Sequence, residues 1–134
     1  MIAVVLDTNI VVSALIAPKG NEAVVLSLAL QGQLALCISP AMLAEYQEVL
    51  YRPRLKLQPN ETEAVLVNIR GVSRMVHPSE TLEISGYVPD NRIYERADAA
   101  QADYIVTGNA KHFPKPHKNT MIVNARQLLG LLVS

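Results

Sequence analysis

MIAVVLDTNIVV, residues 1–12, decides the fold. Met1–Leu6 is a short unbroken apolar run that stops at Asp7-Thr8-Asn9. A strand buried on both faces reads this way, because a sheet covered by helices on each side needs no polar alternation. Helical character follows at once over Asn9–Ile16, so the strand feeds a helix. The same pairing recurs along the chain. Leu34–Ile38 (LALCI), Val72–Val76 (VSRMV), Tyr104–Thr107 (YIVT) and Met121–Val123 (MIV) are further short runs. Between them, helices are expected over Asn21–Gln31, from Ser39-Pro40 to about Tyr51, over Asn60–Arg70 closing at Gly71, over Asp90–Gln101 and over Asn124–Leu132. Ser39 is an N-cap residue and Pro40 suits the first helical position, where a missing N–H costs nothing. Short apolar strands alternating with helices predict parallel βα units in one α/β domain over residues 1–134, with three layers and about five strands.

Composition limits what such a domain can do. Of 134 residues, 50% are hydrophobic and 18% charged, which excludes a disordered chain. Twelve Lys and Arg balance 12 Asp and Glu, so nucleic acid cannot be held by bulk charge and would need local patches. Cys37 alone excludes an intramolecular disulfide framework and a cysteine-rich zinc site. The apolar N-terminal run is interrupted by Asp7 and Asn9 and has no basic residue before it, unlike an export signal or a membrane span. A soluble, cytoplasmic protein is expected.

In parallel α/β sheets, ligands bind beyond the carboxyl ends of the strands. Asp7 ends the first strand, where it is either a helix N-cap or a functional carboxylate. Glu45 lies at i+3 from Met42 and i−4 from Val49, so it is expected on the inward face, where a carboxylate needs a partner or a cation. Glu48 falls with Ala44 and Arg52 on a solvated side. Asp90 opens its helix, whose inward face is expected at Ile93, Ala97 and Ala100. Glu95 and Asp98 are expected on its solvated side. Thr107-Gly108-Asn109 places oxygens at another strand end, with a glycine suited to a tight turn or a close approach. No phosphate-cradling glycine loop, nucleophile elbow or zinc-protease histidine pair is present. His77, His112 and His117 are expected to be solvated, and Cys37 to be packed in the core. Oxygen ligands drawn from Asp7, Glu45 and Asp90, with Asn109 nearby, suit Mg2+ or Mn2+.

Four segments together resemble the PIN domain (PilT N-terminus) family. They are VVLDTNIVVSAL, SPAMLAEYQEVLYRPR, PDNRIYERADAAQADYIVTGNAKHF and MIVNARQLL. More narrowly, they resemble the PIN toxins of bacterial toxin–antitoxin pairs, over Ile2 to about Leu131. The resemblance implies a parallel sheet of order 3-2-1-4-5 and metal-dependent cleavage of RNA. It implies Asp7, Glu45 and Asp90 as catalytic and metal-ligating residues, with Asn9, Thr107, Asn109 and Glu95 in support. Asn109 stands where the family often has a fourth aspartate, which removes one negative charge.

An RNA substrate must bring its phosphates to an acidic crevice, so basic residues should flank it. Arg52, Arg54 and Lys56 in one acid-free segment, and Lys111, Lys115 and Lys118 in another, are the candidates. The resemblance also implies a cognate antitoxin. A homodimer is expected, because Val11, Val12, Leu15, Ile16, Val24, Val25, Leu28 and Leu30 exceed what one sheet face needs. The competing function is a degenerate PIN domain that binds nucleic acid or protein without cutting. A small metal-dependent phosphatase is disfavoured, because no second aspartate follows Asp7 at the required spacing.

Overall fold

The computed structural model describes residues 1–78, 88–109 and 116–133, with backbone alone at 88–90. Five parallel strands, β1 (Ala3–Leu6), β2 (Ala35–Ile38), β3 (Arg74–Met75), β4 (Tyr104–Val106) and β5 (Met121–Val123), form one sheet in the order β3-β2-β1-β4-β5. This is the order the resemblance implies. The central strand β1 pairs with β2 through Val4 and Leu36, and with β4 through Leu6 and Val106. All four of its residues are buried, as an unbroken apolar strand between two helix layers must be.

The helices are α1 (Thr8–Ile16), α2 (Asn21–Leu30), α3 (Pro40–Leu50), α4 (Pro59–Val72), α5 (Val88–Ala100) and α6 (Ala125–Leu132). Helices α1, α2, α3, α4 and α6 pack on one another, while α5 lies against β1, β2 and β4. Right-handed crossovers explain the split. The chain moves outward through β1, β2 and β3 over one face, then returns through α5 over the other. Ile93, Tyr94, Ala97 and Ala100 of α5 are buried, completing the third layer. Ser39 caps α3 by accepting the Met42 N–H at 3.1 Å. Asn124 and Gln127 cap α6 reciprocally, with bonds of 2.7 and 2.9 Å.

Helix α5 begins at Val88, so Asp90 lies within its first turn rather than opening it as the sequence suggested. Proline is tolerated at the start of a helix. Two other boundaries differ as well. α4 continues through Gly71 to Val72, since one helical glycine costs only about 1 kcal/mol and buried Leu66 and Ile69 hold the last turns. Strand β3 shrinks to two exposed residues at the sheet edge. Cys37 is fully buried, as expected. No single helix among the described residues is long and apolar enough to cross a membrane.

The apolar surplus of α1 and α2 is smaller than the sequence suggests. The two helices pack on each other, and α2 packs on α6. Val11 and Val25 are buried, and Val12, Leu15, Leu28 and Leu30 pack partly buried against the core. Of the eight, only Ile16 and Val24 remain largely exposed.

Candidate active site

Strand register makes the first contact. Leu6 lies opposite Val106, so the next residues, Asp7 and Thr107, are neighbours at the carboxyl edge of the sheet. Fully buried Thr107 donates its hydroxyl to Asp7 Oδ2 at 2.7 Å, and Asn9 Nδ2 donates to the same oxygen at 3.2 Å. Asn9 Oδ1 accepts the Gly108 N–H at 3.1 Å, and Thr107 Oγ1 accepts the Asn109 N–H at 3.1 Å. Asn9 thereby ties the ends of β1 and β4 together. Asp7 occupies the N-cap position of α1, but its side chain makes no capping bond. Its carboxylate faces the crevice network instead.

Gly108 was expected to allow a tight turn or a close approach. The approach is to the Asn9 side chain, and an added Cβ would meet Asn9 Oδ1 at an ordinary 3.6 Å. Sterics alone do not require glycine there.

Helix α3 supplies the second acid. The Tyr46 hydroxyl donates to the Leu6 carbonyl, pinning α3 to the end of β1. One residue earlier, Glu45 Oε2 accepts the Thr8 hydroxyl. Glu45 is not on the inward face, which corrects the expectation from Met42 and Val49. The buried stripe is Met42, Tyr46 and Leu50, at i, i+4 and i+8, and Glu45 sits exposed on its shoulder. That position lets it reach across to α1. Glu48 does lie on the solvated side, paired with Arg52 at 2.7 Å.

The electrostatics are those of two acids without an ion pair. Burial pushes the Asp7 carboxyl above its ordinary range, and the charge of Glu45 adds to the push. The bonds from Thr107, the Thr8 backbone and Asn9 offset part of it. Oδ1 of Asp7 takes no side-chain donor among the described residues. A desolvated carboxylate that also accepts a backbone bond from Thr8, beside a second carboxylate and two threonine hydroxyls, is a hard-oxygen set that fits a small divalent cation. The side chain of Asp90 lies outside the described residues, and among those described no three acids, histidines or cysteines cluster tightly enough for an ion.

A protein-family model for the PIN domain matches residues 3–111 of this chain. The chain belongs to the PIN domain family. PIN domains are generally nucleases, and the match includes Asp7, Glu45, Asp90 and Thr107. An uncharacterised protein of Methanocaldococcus jannaschii is 29% identical over 111 residues, covering 81% of this chain and 71% of its own length. Among solved structures, VapBC2 of Rickettsia felis, bound to a DNA fragment from their promoter, is similar in fold. The TM-score is 0.60 at 23% identity, covering 92% of this chain and 98% of that one.

The remaining sites expected in this PIN domain are scattered. Lys118 does not flank the crevice. A parallel β5 must start at the opposite edge, so the turn before it lies at the amino ends of the strands, where Lys118 pairs with Asp98 at 2.7 Å. Lys111, Lys115 and His112 lie outside the described residues. Arg52 lies two residues beyond the end of α3, at the opposite end of that helix from its Ser39 cap, and Arg54 and Lys56 follow exposed around a 3-10 turn, Pro53–Leu55. Asn109 is exposed beside Thr107.

Glu95 and Asp98 are not solvated. Glu95 is 8% exposed and pairs with Arg92 at 2.7 Å, and Asp98 is covered by the turn at residues 117–118. His117 likewise is enclosed, edge-on to Tyr94 with ring centres 6.1 Å apart. His77 is exposed, as expected.

Sequence reasoning missed Thr8, Tyr46 and Arg96. Arg96 donates through Nε to Ser39 Oγ at 2.9 Å and lies in the field of Glu45. Its i,i+4 spacing from Arg92 was the available signal.

Proposed function

We propose that this PIN domain is a metal-dependent endoribonuclease, the toxin component of a toxin–antitoxin pair, hydrolysing RNA phosphodiester bonds in the cytoplasm. The observation that carries the reading is the convergence of Asp7 and Glu45 at the carboxyl edge, held by hydroxyl and amide donors with no ion pair. Asp7, Glu45 and Asp90 would hold Mg2+ or Mn2+, which when bound supplies water activation and charge stabilisation on the phosphoryl oxygens. The chain's own residues then have separate tasks. Thr107 and Asn9 fix the rotamer of Asp7, and Thr8 fixes that of Glu45. Tyr46 locks α3 to β1, so the spacing between the two acids is set by buried structure.

The fold likeness to VapBC2, a toxin–antitoxin complex, supports a cognate antitoxin as partner. Ile16 and Val24, 54% and 45% exposed, support a homodimer, which light scattering at micromolar concentration would test. Asn109, in place of a further acid, favours the second reading, a PIN domain that binds without cutting. Incubating the protein with RNA and Mn2+, then with chelator, separates the two. Cleavage that chelator and Glu45→Gln both abolish supports the nuclease, and binding without cleavage supports the alternative.

A further inference from the structure

A groove of about 340 Å³ opens at the same edge of the sheet, beside the acidic crevice. Ser39 lies at its floor directly after β2, and His77 follows Val76, whose N–H bonds the Ile38 carbonyl at 2.8 Å. Arg92 and Arg96, one turn apart on α5, complete the wall with Glu95. Three nitrogen-bearing side chains from two separate parts of the chain therefore face one space, against a single carboxylate.

Both guanidinium groups are held in place. Arg92 Nη2 pairs with Glu95 Oε2 at 2.7 Å, and Arg96 Nε donates to Ser39 Oγ at 2.9 Å. The hold is incomplete in a telling way. Arg92 Nε is buried and has no acceptor among the described residues, and Arg96 spends only its Nε, which leaves its Nη1 and Nη2 edge uncommitted there. Fixed arginine forks with donors to spare match the oxygens of a phosphate better than a point charge would. Because they are already ordered, little side-chain entropy is lost when an anion arrives.

We propose that this groove is a subsite for a backbone phosphate of single-stranded RNA flanking the bond to be cut. The inference rests on the ribonuclease reading and deepens it. The acids at Asp7 and Glu45 repel a polyanion, and the groove supplies the attraction that brings the strand over them. Glu95 then acts as a positioning residue for Arg92, and Ser39 as one for Arg96.

The test is equilibrium binding of a fluorescently labelled single-stranded oligoribonucleotide to the full chain in Mn2+, in an Asp7→Asn background that stops cleavage. Adding Arg92→Gln or Arg96→Gln should each weaken binding about tenfold and lower the slope of log affinity against log salt by about 0.7, the value for one lost contact to a single strand. Arg96→Lys should keep most of the slope and lose affinity, because it keeps the charge without the fork. Unchanged slopes in folded variants would overturn the subsite and leave the nuclease reading standing. If Arg96 only supported the fold, Arg96→Gln would lower the melting temperature with no change of slope, and that too would overturn it. Should Arg96→Gln fail to fold, Arg92→Gln decides, since that side chain is 41% exposed. A wild-type protein that neither binds nor cuts the oligonucleotide would overturn both proposals together.

Discussion

Asp98 at the amino edge of the sheet and Asp7 with Glu45 at the carboxyl edge are held in opposite ways. At the amino edge, Asp98 accepts from Lys118 Nζ at 2.7 Å and meets His117 Nε2 at 3.1 Å, and Asp103 accepts the Ala3 N–H at 2.8 Å. Lys118 and His117 hold the Asp98 carboxyl below its ordinary range. At the carboxyl edge, Asp7 and Glu45 receive hydroxyl and amide donors and form no ion pair among the described residues. Burial and the neighbouring charge raise Asp7. Asp98 is neutralised by a cation of its own chain. At the carboxyl edge Asp7 and Glu45 have no cationic partner of their own among the described residues, while Arg92 and Arg96 line the groove beside them. The proposed function puts a cation on the acids and RNA across both.

That contrast can be broken most sharply at Glu45. Glu45→Gln should reduce RNA cleavage at least about 100-fold, since ligand and second-sphere losses at metal sites run to that order. Asp98→Asn, at the other edge, should leave initial rates within about twofold. Equal losses in both variants would erase the distinction. Next in size is Thr107→Val, which removes the hydroxyl on Asp7 Oδ2. Cleavage should fall about 10- to 100-fold with the fold retained, as judged by circular dichroism.

Stability should separate the edges by sign. An acid held low in the folded state contributes stability above its ordinary pKa and loses it as pH falls through the folded value. Asp98→Asn should therefore lower the melting temperature near neutral pH by about 3 °C or less, the scale of one partly exposed ion pair, and the gap should close on acidification below about pH 4. An acid held high carries a penalty at neutral pH that disappears below its ordinary value, so Asp7 should behave the other way in metal-free protein. The smallest effect is expected at Lys118. Lys118→Ala should leave the salt dependence of RNA binding unchanged, and a slope reduced by about 0.7 would place that lysine on the RNA after all.

Much of this was legible in the sequence, for definite reasons. β1 could be read because burial on both faces removes alternation, and Asp7 because it stops that run. Glu45 was found as a candidate, but its stripe was misplaced. Met42–Val49 and Met42–Tyr46–Leu50 are both helical spacings, and only Tyr46 reaching the Leu6 carbonyl decides between them. Glu95 and Asp98 read as solvated because a charged helix side has no sequence mark for what covers it. Their partners, Arg92 beside a groove and a turn 19 residues downstream of Asp98, are set by tertiary structure. Lys118 misled for a topological reason. Lys118, seven residues after Lys111 in sequence, sits at the far edge, where the parallel strand β5 begins.

In the proposed function Asp7 carries an unfavourable charge that a divalent cation relieves, and one comparison tests this. Asp7→Asn and wild type are measured side by side for RNA cleavage in Mn2+ and for melting temperature in chelator. Cleavage should be lost while the metal-free melting temperature holds or rises slightly, because repulsion and desolvation are relieved. Full cleavage by Asp7→Asn would contradict it.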